Sequence, residues 1–451
     1  MRYPVTGPQS RPVTEPVAKT DSLQDILARF DRYHPARIDL TLDRTRRLLT
    51  ALGEPQQKLP PVIHVAGTNG KGSTIAFLRA IYEAAGLAVS TYTSPHLVDF
   101  TERFVLAGET ISTAALCDLL NEVDDINDGQ PITEFEIVTA AAFLALSRCE
   151  ADVVLLETGL GGRYDATNMV DAPLATVITP ISLDHQAFLG DDIAAIAAEK
   201  AAIQKAGVPS IIAPQPGVAA QVIDRIGAER GAIAFRAGQE WSFETVDNGF
   251  IYRSPATTLK LPLPSLFGAH QIVNAATAVA CAAQSAQIAV AEKAMVTGLS
   301  AVQWPGRFQR LPDGALRQRL PAAWEVWLDA GHNGAAGAAL AAALRQINAG
   351  EARSLHIVFG MLEDKDPVAF LGPLAGLASS VTAVPLADEP RSHNSKASAA
   401  ALADAGIAAD WAPSLDAALD ALAVTQGDAR VLICGSHVIV GAALRGTARP
   451  L

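Results

Sequence analysis

Short apolar runs recur along this chain, separated by longer stretches with helical spacing. In the first half the runs fall at 62–66, 88–93, 153–156 and 175–179, and each stops at a polar cluster. A second series comes later, at 326–328, 356–359, 381–384 and 431–434. Unbroken apolar runs of this length fit strands buried on both faces, so the alternation with helices predicts mostly parallel α/β sheets. Between the two series, Trp241, Phe243, Phe250, Ile251 and Tyr252 fall in a stretch, 234–264, that predicts a meander of short antiparallel strands. The longest uncharged run, 271–291, is long enough to span a membrane but carries Gln271, Asn274, Thr277, Gln284, Ser285 and Gln287. It predicts a buried helix.

A chain of 451 residues exceeds the size at which one core keeps growing, so two domains are expected. The Pro-Gly break in WPGRFQR puts the boundary within 303–310. The division expected is a flexible leader at 1–22, a P-loop-containing α/β domain with a small antiparallel subregion at 23–305, and a smaller Rossmann-like α/β domain at 306–451. No repeat of 20 to 50 residues and no heptad pattern appears.

Composition narrows the function. The hydrophobic fraction is 49% with only 6% aromatics, so small aliphatics dominate, which suits helices packed on sheets. A net charge of -12 disfavours a nucleic-acid surface and leaves small anionic substrates possible where cations gather locally. Cys117, Cys149, Cys281 and Cys434 form no CxxC pair, which argues against a zinc site or a disulfide framework and for a reducing cytoplasm. The proline-rich, polar first twenty residues have no signal-peptide core.

In open parallel sheets the ligand crevice lies at the carboxyl ends of the strands, so the residues just after each run are candidates for a site. The most telling segment is IHVAGTNGKGST, 63–74. Gly67 and Gly70 permit backbone angles that turn successive N–H groups toward anionic oxygens, Lys71 adds a point charge, and a helix opening near Gly72 adds its positive end. Two residues rather than four separate the glycines, and Gly72 intervenes between Lys71 and Ser73, so this is not the usual P-loop spacing.

Glu157 ends the run VVLLE, either as a metal-holding acid or as the first residue of a loop; His185, in ISLDHQAFLG, reads equally as a ligand or as a structural hydrogen-bonder. For Ser94 before Pro95, spacing alone favours a turn. Lys200 shares a helical face with Ile196 and Ile203, whereas Lys205 points away. A buried ammonium must find an anion, lose its proton or be modified, and a neutral lysine reacts with carbon dioxide to give a carbamate. On spacing alone a snorkelling lysine or a salt bridge is the simpler reading. Asp329, His332 and Asn333 come directly after the strand VWL; Arg307 sits in the interdomain break as a phosphate contact or a solvated linker arginine; Asn274 reads as an adenine contact or a helix cap.

Taken together, GTNGKGST, TSPHLVDFTERF, ITEFEIVTAAAF, LETGLGGRYDATN, ISLDHQAFLG, IAAEKAAI, HQIVNAATA, PGRF and LDAGHN resemble the Mur ligase superfamily, most closely its folylpolyglutamate and dihydrofolate synthases. The matches span nearly the whole chain, and glycine between lysine and serine in the phosphate loop is the form this resemblance leads one to expect. It implies that Thr68, Asn69, Gly70, Lys71, Gly72 and Ser73 hold the phosphates of ATP, and that Ser94, Glu157 and His185 hold magnesium. It implies that Lys200 is carbamylated, and that Asn274, Arg307 and Asp329 contact nucleotide with His332 nearby. Thr133, Glu134, Phe135 and Glu136, with Tyr164, Asp165 and Ala166, fall in segments the family uses for the pterin-bearing substrate, and the loop at 391–398 is matched to the glutamate site.

The implied reaction joins L-glutamate to the carboxylate of dihydropteroate and of folates through an acyl phosphate, with Lys71, Lys200, Asp329 and His332 as the catalytic set. The implied protein is a cytoplasmic monomer with small-molecule substrates and no membrane or nucleic-acid partner. A folylpolyglutamate synthase alone, or another Mur-type amino-acid ligase, is the alternative; those acting on nucleotide-linked precursors carry a whole domain before the phosphate loop, where this sequence has about sixty residues. A nucleotide switch without ligation leaves Asp329 and His332 with no role.

Overall fold

The computed structural model describes residues 21–34, 41–285, 287–425, 427–445 and 447. Residues 1–20 of the expected leader lie outside these. Ser22, assigned to the leader, caps the helix Leu23–Asp31 in a reciprocal capping box with Asp25.

The first sheet has eight strands, β1 (Val62–Ala66), β2 (Val89–Tyr92), β3 (Phe104–Leu106), β4 (Glu109–Thr110), β5 (Val153–Glu157), β6 (Ala175–Ile178), β7 (Pro209–Ile212) and β8 (Ile233–Arg236). Their order is β4-β3-β2-β5-β1-β6-β7-β8, parallel except at β3 and β4. The central strands β1, β2 and β5 are buried throughout because both faces are covered. Ile63, Val65, Val153 and Leu155 join the core under the helices Lys71–Ala84, Ala269–Gln284 and Glu292–Ala301, whereas Val62, Val154 and Leu156 join the core under the helices Thr113–Asn127 and Glu134–Ser147.

A three-stranded antiparallel sheet, β9 (Ser242–Val246), β10 (Gly249–Arg253) and β11 (Thr258–Pro262), packs Phe250, Tyr252, Leu259 and Leu261 into the first of these cores. It begins later than the pattern predicts, because Ile233–Arg236 pairs parallel with β7 as the edge of the large sheet. The expected helix at 271–291 also differs: it runs Ala269–Gln284, and the chain turns at Ser285, whose hydroxyl accepts the Ile288 N–H at 3.2 Å. The helix stops where Ser285 takes an extended backbone, at ψ 104°, a limit that an uncharged run does not mark.

The second sheet comprises β12 (Gln309–Arg310), β13 (Glu325–Asp329), β14 (Ser354–Phe359), β15 (Ser380–Ala383), β16 (Asp410–Trp411) and β17 (Ala429–Cys434). Its order is β12-β13-β17-β14-β15-β16, with only β12 antiparallel. Among the described residues no helix is long and apolar enough to cross a membrane.

One contact fixes the helix Lys71–Ala84 that follows the glycine turn after β1. At Gly298 a Cβ would lie 2.6 Å from the backbone N and Cα of Ile81, so the helices Glu292–Ala301 and Lys71–Ala84 touch main chain to main chain. Gly298→Ala gains about 1 kcal/mol of helix propensity but must push two backbones apart, at a cost typically of about 1–3 kcal/mol. A net loss of about 1 kcal/mol of unfolding free energy is expected, read as a lower urea midpoint with an unchanged slope; an unchanged midpoint would show that the helices slide freely.

Candidate active site

The loop from β1 to the helix Lys71–Ala84 lies where the chain's strand order switches, with β5 on one side of β1 and β6 on the other. Gly70 caps the helix with φ +90°, and a Cβ there would stand 2.2 Å from Asn274 Oδ1. No side chain caps this helix, whose first internal bond is Thr74 N to Gly70 O. The amides of Lys71, Gly72 and Ser73 therefore have no partner within the helix and offer donors to an anion. Thr68 and Asn69 donate their N–H groups to Pro180 O at 3.1 and 3.2 Å, tying the loop to the segment after β6. Lys71 Nζ donates to Gly67 O at 3.3 Å.

Glu157 pairs in register with Val65, just before the loop, and its Oε2 accepts the Ser94 N–H at 3.2 Å. Burial raises its carboxyl above the usual range, against the opposing charges of Lys71 and Arg307. His185 stands in the left-handed region at φ 51° and starts the short helix Gln186–Leu189. Burial pushes its imidazole down to about 4, and Lys365, Lys71 and Lys200 add to that against the pull of Asp184. A neutral imidazole and a buried carboxylate are the right donors for a divalent cation, but the described residues hold no group of three His, Cys, Asp or Glu that would bind one unaided.

Lys200 is 5% exposed near the end of the helix Ile193–Ala201, alongside buried Ile196 and Ala197. Burial lowers its amine to about 7, aided by the charge of Lys71 and opposed by Asp184, Asp165 and Glu199.

The second sheet contributes the facing wall. Asp329, at the end of β13, accepts from Phe308 N at 2.9 Å and Gly331 N at 2.6 Å, so its carboxylate holds the turn that bears Arg307. Burial raises its carboxyl, with Arg307 opposing. Arg307 in turn meets His437 Nε2 at 3.2 Å. His332 Nδ1 lies 2.9 Å from Ala330 O, an acceptor only, so Nδ1 carries the proton.

Asp184 joins the two halves. Its Oδ1 receives Lys365 Nζ at 2.7 Å, its Oδ2 receives Asn333 Nδ2 at 3.0 Å, and His332 Nε2 lies 3.4 Å from the same oxygen. Burial opposes its charge, yet His332, His185 and Lys365 together hold its carboxyl well below the usual range. Asn333, which caps the helix Gly334–Gly350, and Asn69 exchange reciprocal amide contacts at 3.0 and 3.3 Å, which fastens the loop after β1 to the segment after β13.

Other expected residues have local duties. Thr133 and Glu136 form the capping box of the helix Glu134–Ser147, and Glu136 also takes a two-pronged contact from Arg44 at 3.0 Å. Burial raises the Glu134 carboxyl, against Arg103. The Phe135 ring lies against Gly159, Ala166 is buried, Tyr164 is 47% exposed, and Asp165 accepts from Leu160 N at 2.7 Å and Thr167 N at 3.0 Å. Asn274 is not a helix cap: its helix starts at Ala269, so it lies more than a turn inside and packs on Gly70. The segment 391–398 is a loop only as far as Asn394, which caps the helix Ser395–Asp404; its loop part runs beside the segment bearing Lys365, with His393 N donating to Met361 O and Glu363 N to Arg391 O.

Asp184, Lys365 and His437 do not stand out in the pattern of the sequence. Each comes after a strand, β6, β14 or β17, so the strand-end rule carried one element further reaches them.

Residues 65–282 match the Mur ligase middle domain and residues 306–437 match the Mur ligase, glutamate ligase domain. The dihydrofolate synthase/folylpolyglutamate synthase of Bacillus subtilis (strain 168) is 39% identical over 72% of this chain and 76% of its own. A structure of E. coli FolC in complex with DHPP and ADP superposes with a TM-score of 0.84 at 33% identity, covering 94% of this chain and 97% of that one. A bifunctional folylpolyglutamate synthase/dihydrofolate synthase with Mn, AMPPNP and L-glutamate bound gives 0.82 at 31%, covering 94% and 98%.

Proposed function

This chain belongs to the Mur ligase family, and we propose that it is a dihydrofolate synthase/folylpolyglutamate synthase, an ATP-dependent ligase adding L-glutamate to dihydropteroate and to folates. The observation that carries this reading is the uncapped helix start behind Lys71, set against Asp184 and the second sheet through Asn69 and Asn333. We divide the chain into an ATP-binding domain at 23–305 and a glutamate-ligase domain at 306–451, a reading that the separation of the two large sheets supports.

A carboxylate is a poor electrophile. In the proposed reaction its oxygen attacks the γ-phosphorus of ATP, ADP leaves, and an acyl phosphate results. The glutamate amine then attacks the acyl carbon, phosphate leaves and an amide remains. Thr68 to Ser73 cradle the phosphates, and Lys71 offsets charge on the transferring group. Ser94, Glu157 and His185 would hold magnesium, which supplies further charge neutralisation when bound. Asn274 and Arg307 contact the nucleotide, and Asp329 keeps Arg307 in position through the Phe308 amide. Deprotonating the ammonium of glutamate requires a base, and we assign His332, held between Ala330 O at Nδ1 and the Asp184 carboxylate 3.4 Å from Nε2, to orient or deprotonate that amine.

Residues 133–136 and 164–166 line the acceptor side, and the segment 391–398, a loop running into a helix start, the glutamate side. Domain closure keeps water from the acyl phosphate. Lys200 is carbamylated in this reading: R–NH2 and CO2 give R–NH–COO⁻ and a proton, converting a cation in an apolar setting into an anion able to contact the metal. All these groups lie on one chain, so the reading needs no second copy.

Purified protein with ATP, magnesium and radiolabelled glutamate is expected to label both dihydropteroate and tetrahydrofolate. Labelling of only one would reduce the function to a single activity, and labelling of neither would overturn it.

A further inference from the structure

His64 lies in the middle of β1, is fully buried, and has no part in the reaction as described. Its Nε2 meets two hydroxyls, Thr167 Oγ1 at 2.9 Å and Thr158 Oγ1 at 3.0 Å, while Nδ1 has no partner. The two threonines are the ends of one loop. Between them lie Gly159, against which the Phe135 ring packs, and Tyr164, Asp165 and Ala166, the segment assigned above to the acceptor. Both threonines are buried, at 1% and 0% exposure.

The hydrogen bonds have a fixed direction. Thr167 Oγ1 donates its only proton to Asp165 Oδ1, so toward His64 it accepts. Nε2 therefore carries the imidazole proton and shares it between Thr167 and Thr158. Nδ1 is then a bare lone pair, which costs less to leave unpaired in the core than an N–H. Burial pushes the ring down to about 3, so it stays neutral and the direction holds. Asp165 passes the constraint on, accepting from Leu160 N and Thr167 N. Thr158 is tied a second time, its N–H donating to Val65 O at 3.0 Å.

We infer that His64 is a positioning residue that staples the acceptor loop at its base, joining Thr158 to Thr167 and orienting Asp165 through Thr167. The inference rests on the assignment of 164–166 to the acceptor. It predicts that the imidazole governs capture of the pterin-bearing acceptor and leaves ATP capture alone, although His64 is only three residues from Gly67. The phosphate loop is held instead by Pro180, Ser182 and Asn333.

The test compares the whole protein with His64→Ala, His64→Gln and Thr167→Val. His64→Ala is expected to raise KM for dihydropteroate about tenfold or more with KM for ATP within about twofold of the parent, the loss of one or two buried hydrogen bonds at a rigid loop. Glutamine can present an amide N–H near the position of Nε2, so His64→Gln is expected to recover most of this. Thr167→Val removes the hydroxyl at nearly constant shape and is expected to reproduce the alanine phenotype, which keeps the test valid should His64→Ala not fold. Amide hydrogen exchange, measured without substrates, is expected to accelerate in 159–166 and not in 67–73. Equal rises in both KM values, or no acceleration in 159–166 in either folded variant, would overturn the staple. If the parent protein labels no acceptor, the proposed function falls, and the exchange comparison still decides the staple.

Discussion

Lys71→Ala is expected to lower glutamate-dependent ADP formation by at least about a hundredfold, the scale of losing one preorganised group that stabilises transition-state charge. The lysine sits at the start of its helix, with Nζ held over the loop by Gly67 O. Its charge is felt by Glu157, His185, Lys200 and His437, so it stands at the centre of the site. Two effects then act together. The transferring phosphoryl loses a counter-charge, and Glu157 loses the largest influence favouring its ionised form. The fold should survive, because among the described residues the Lys71 side chain hydrogen-bonds locally, to Gly67 O, so the melting temperature is expected to stay within a few degrees of the parent. Near-normal turnover of a folded variant would remove Lys71 from phosphoryl transfer.

Lys200→Arg is expected to cost nearly as much as Lys71→Ala, about a hundredfold in kcat, although it preserves a positive charge. The reason is chemical. An amine at about 7 is roughly half neutral at neutral pH, whereas one at the ordinary value of 10.5 is neutral about once in three thousand, so burial makes this lysine reactive toward carbon dioxide. A guanidinium is not deprotonated in proteins and forms no carbamate. Carbon dioxide incorporation at Lys200 is therefore expected to rise as pH increases through about 7, and native mass spectrometry in bicarbonate should find one added carbon dioxide that Lys200→Arg lacks. An active arginine variant, or an unmodified parent under these conditions, would assign the residue to charge alone.

Much of this site is legible in the order of residues alone. The cradle at 67–73, Glu157 at the end of β5 and Asp329 at the end of β13 all come from apolar runs that stop at polar residues, since a parallel sheet delivers its strand ends to one edge. Lys200 is legible from helical spacing, because a charged residue on an apolar face has few explanations. The meander and the uncharged helix are visible in the pattern, but their limits are not. The edge strand Ile233–Arg236 is only partly covered, so its pattern differs little from that of the hairpins after it. The turn at Ser285 is a break in backbone conformation within an uncharged run, accompanied by a hydrogen bond from the Ile288 N–H to the Ser285 hydroxyl.

The sequence by itself determined the two sheets, the phosphate loop and the family, because those depend on local periodicity and on short motifs read in order. Only the tertiary structure decided what each polar residue is bonded to. Asp184 meets Lys365 and Asn333, 181 and 149 positions away, and His64 meets Thr167, 103 positions away. The same carboxylate or imidazole is ligand, hub or staple according to which distant groups reach it. Those partners are brought together by burying apolar surface, a force that carries no record in the spacing of the polar residues themselves.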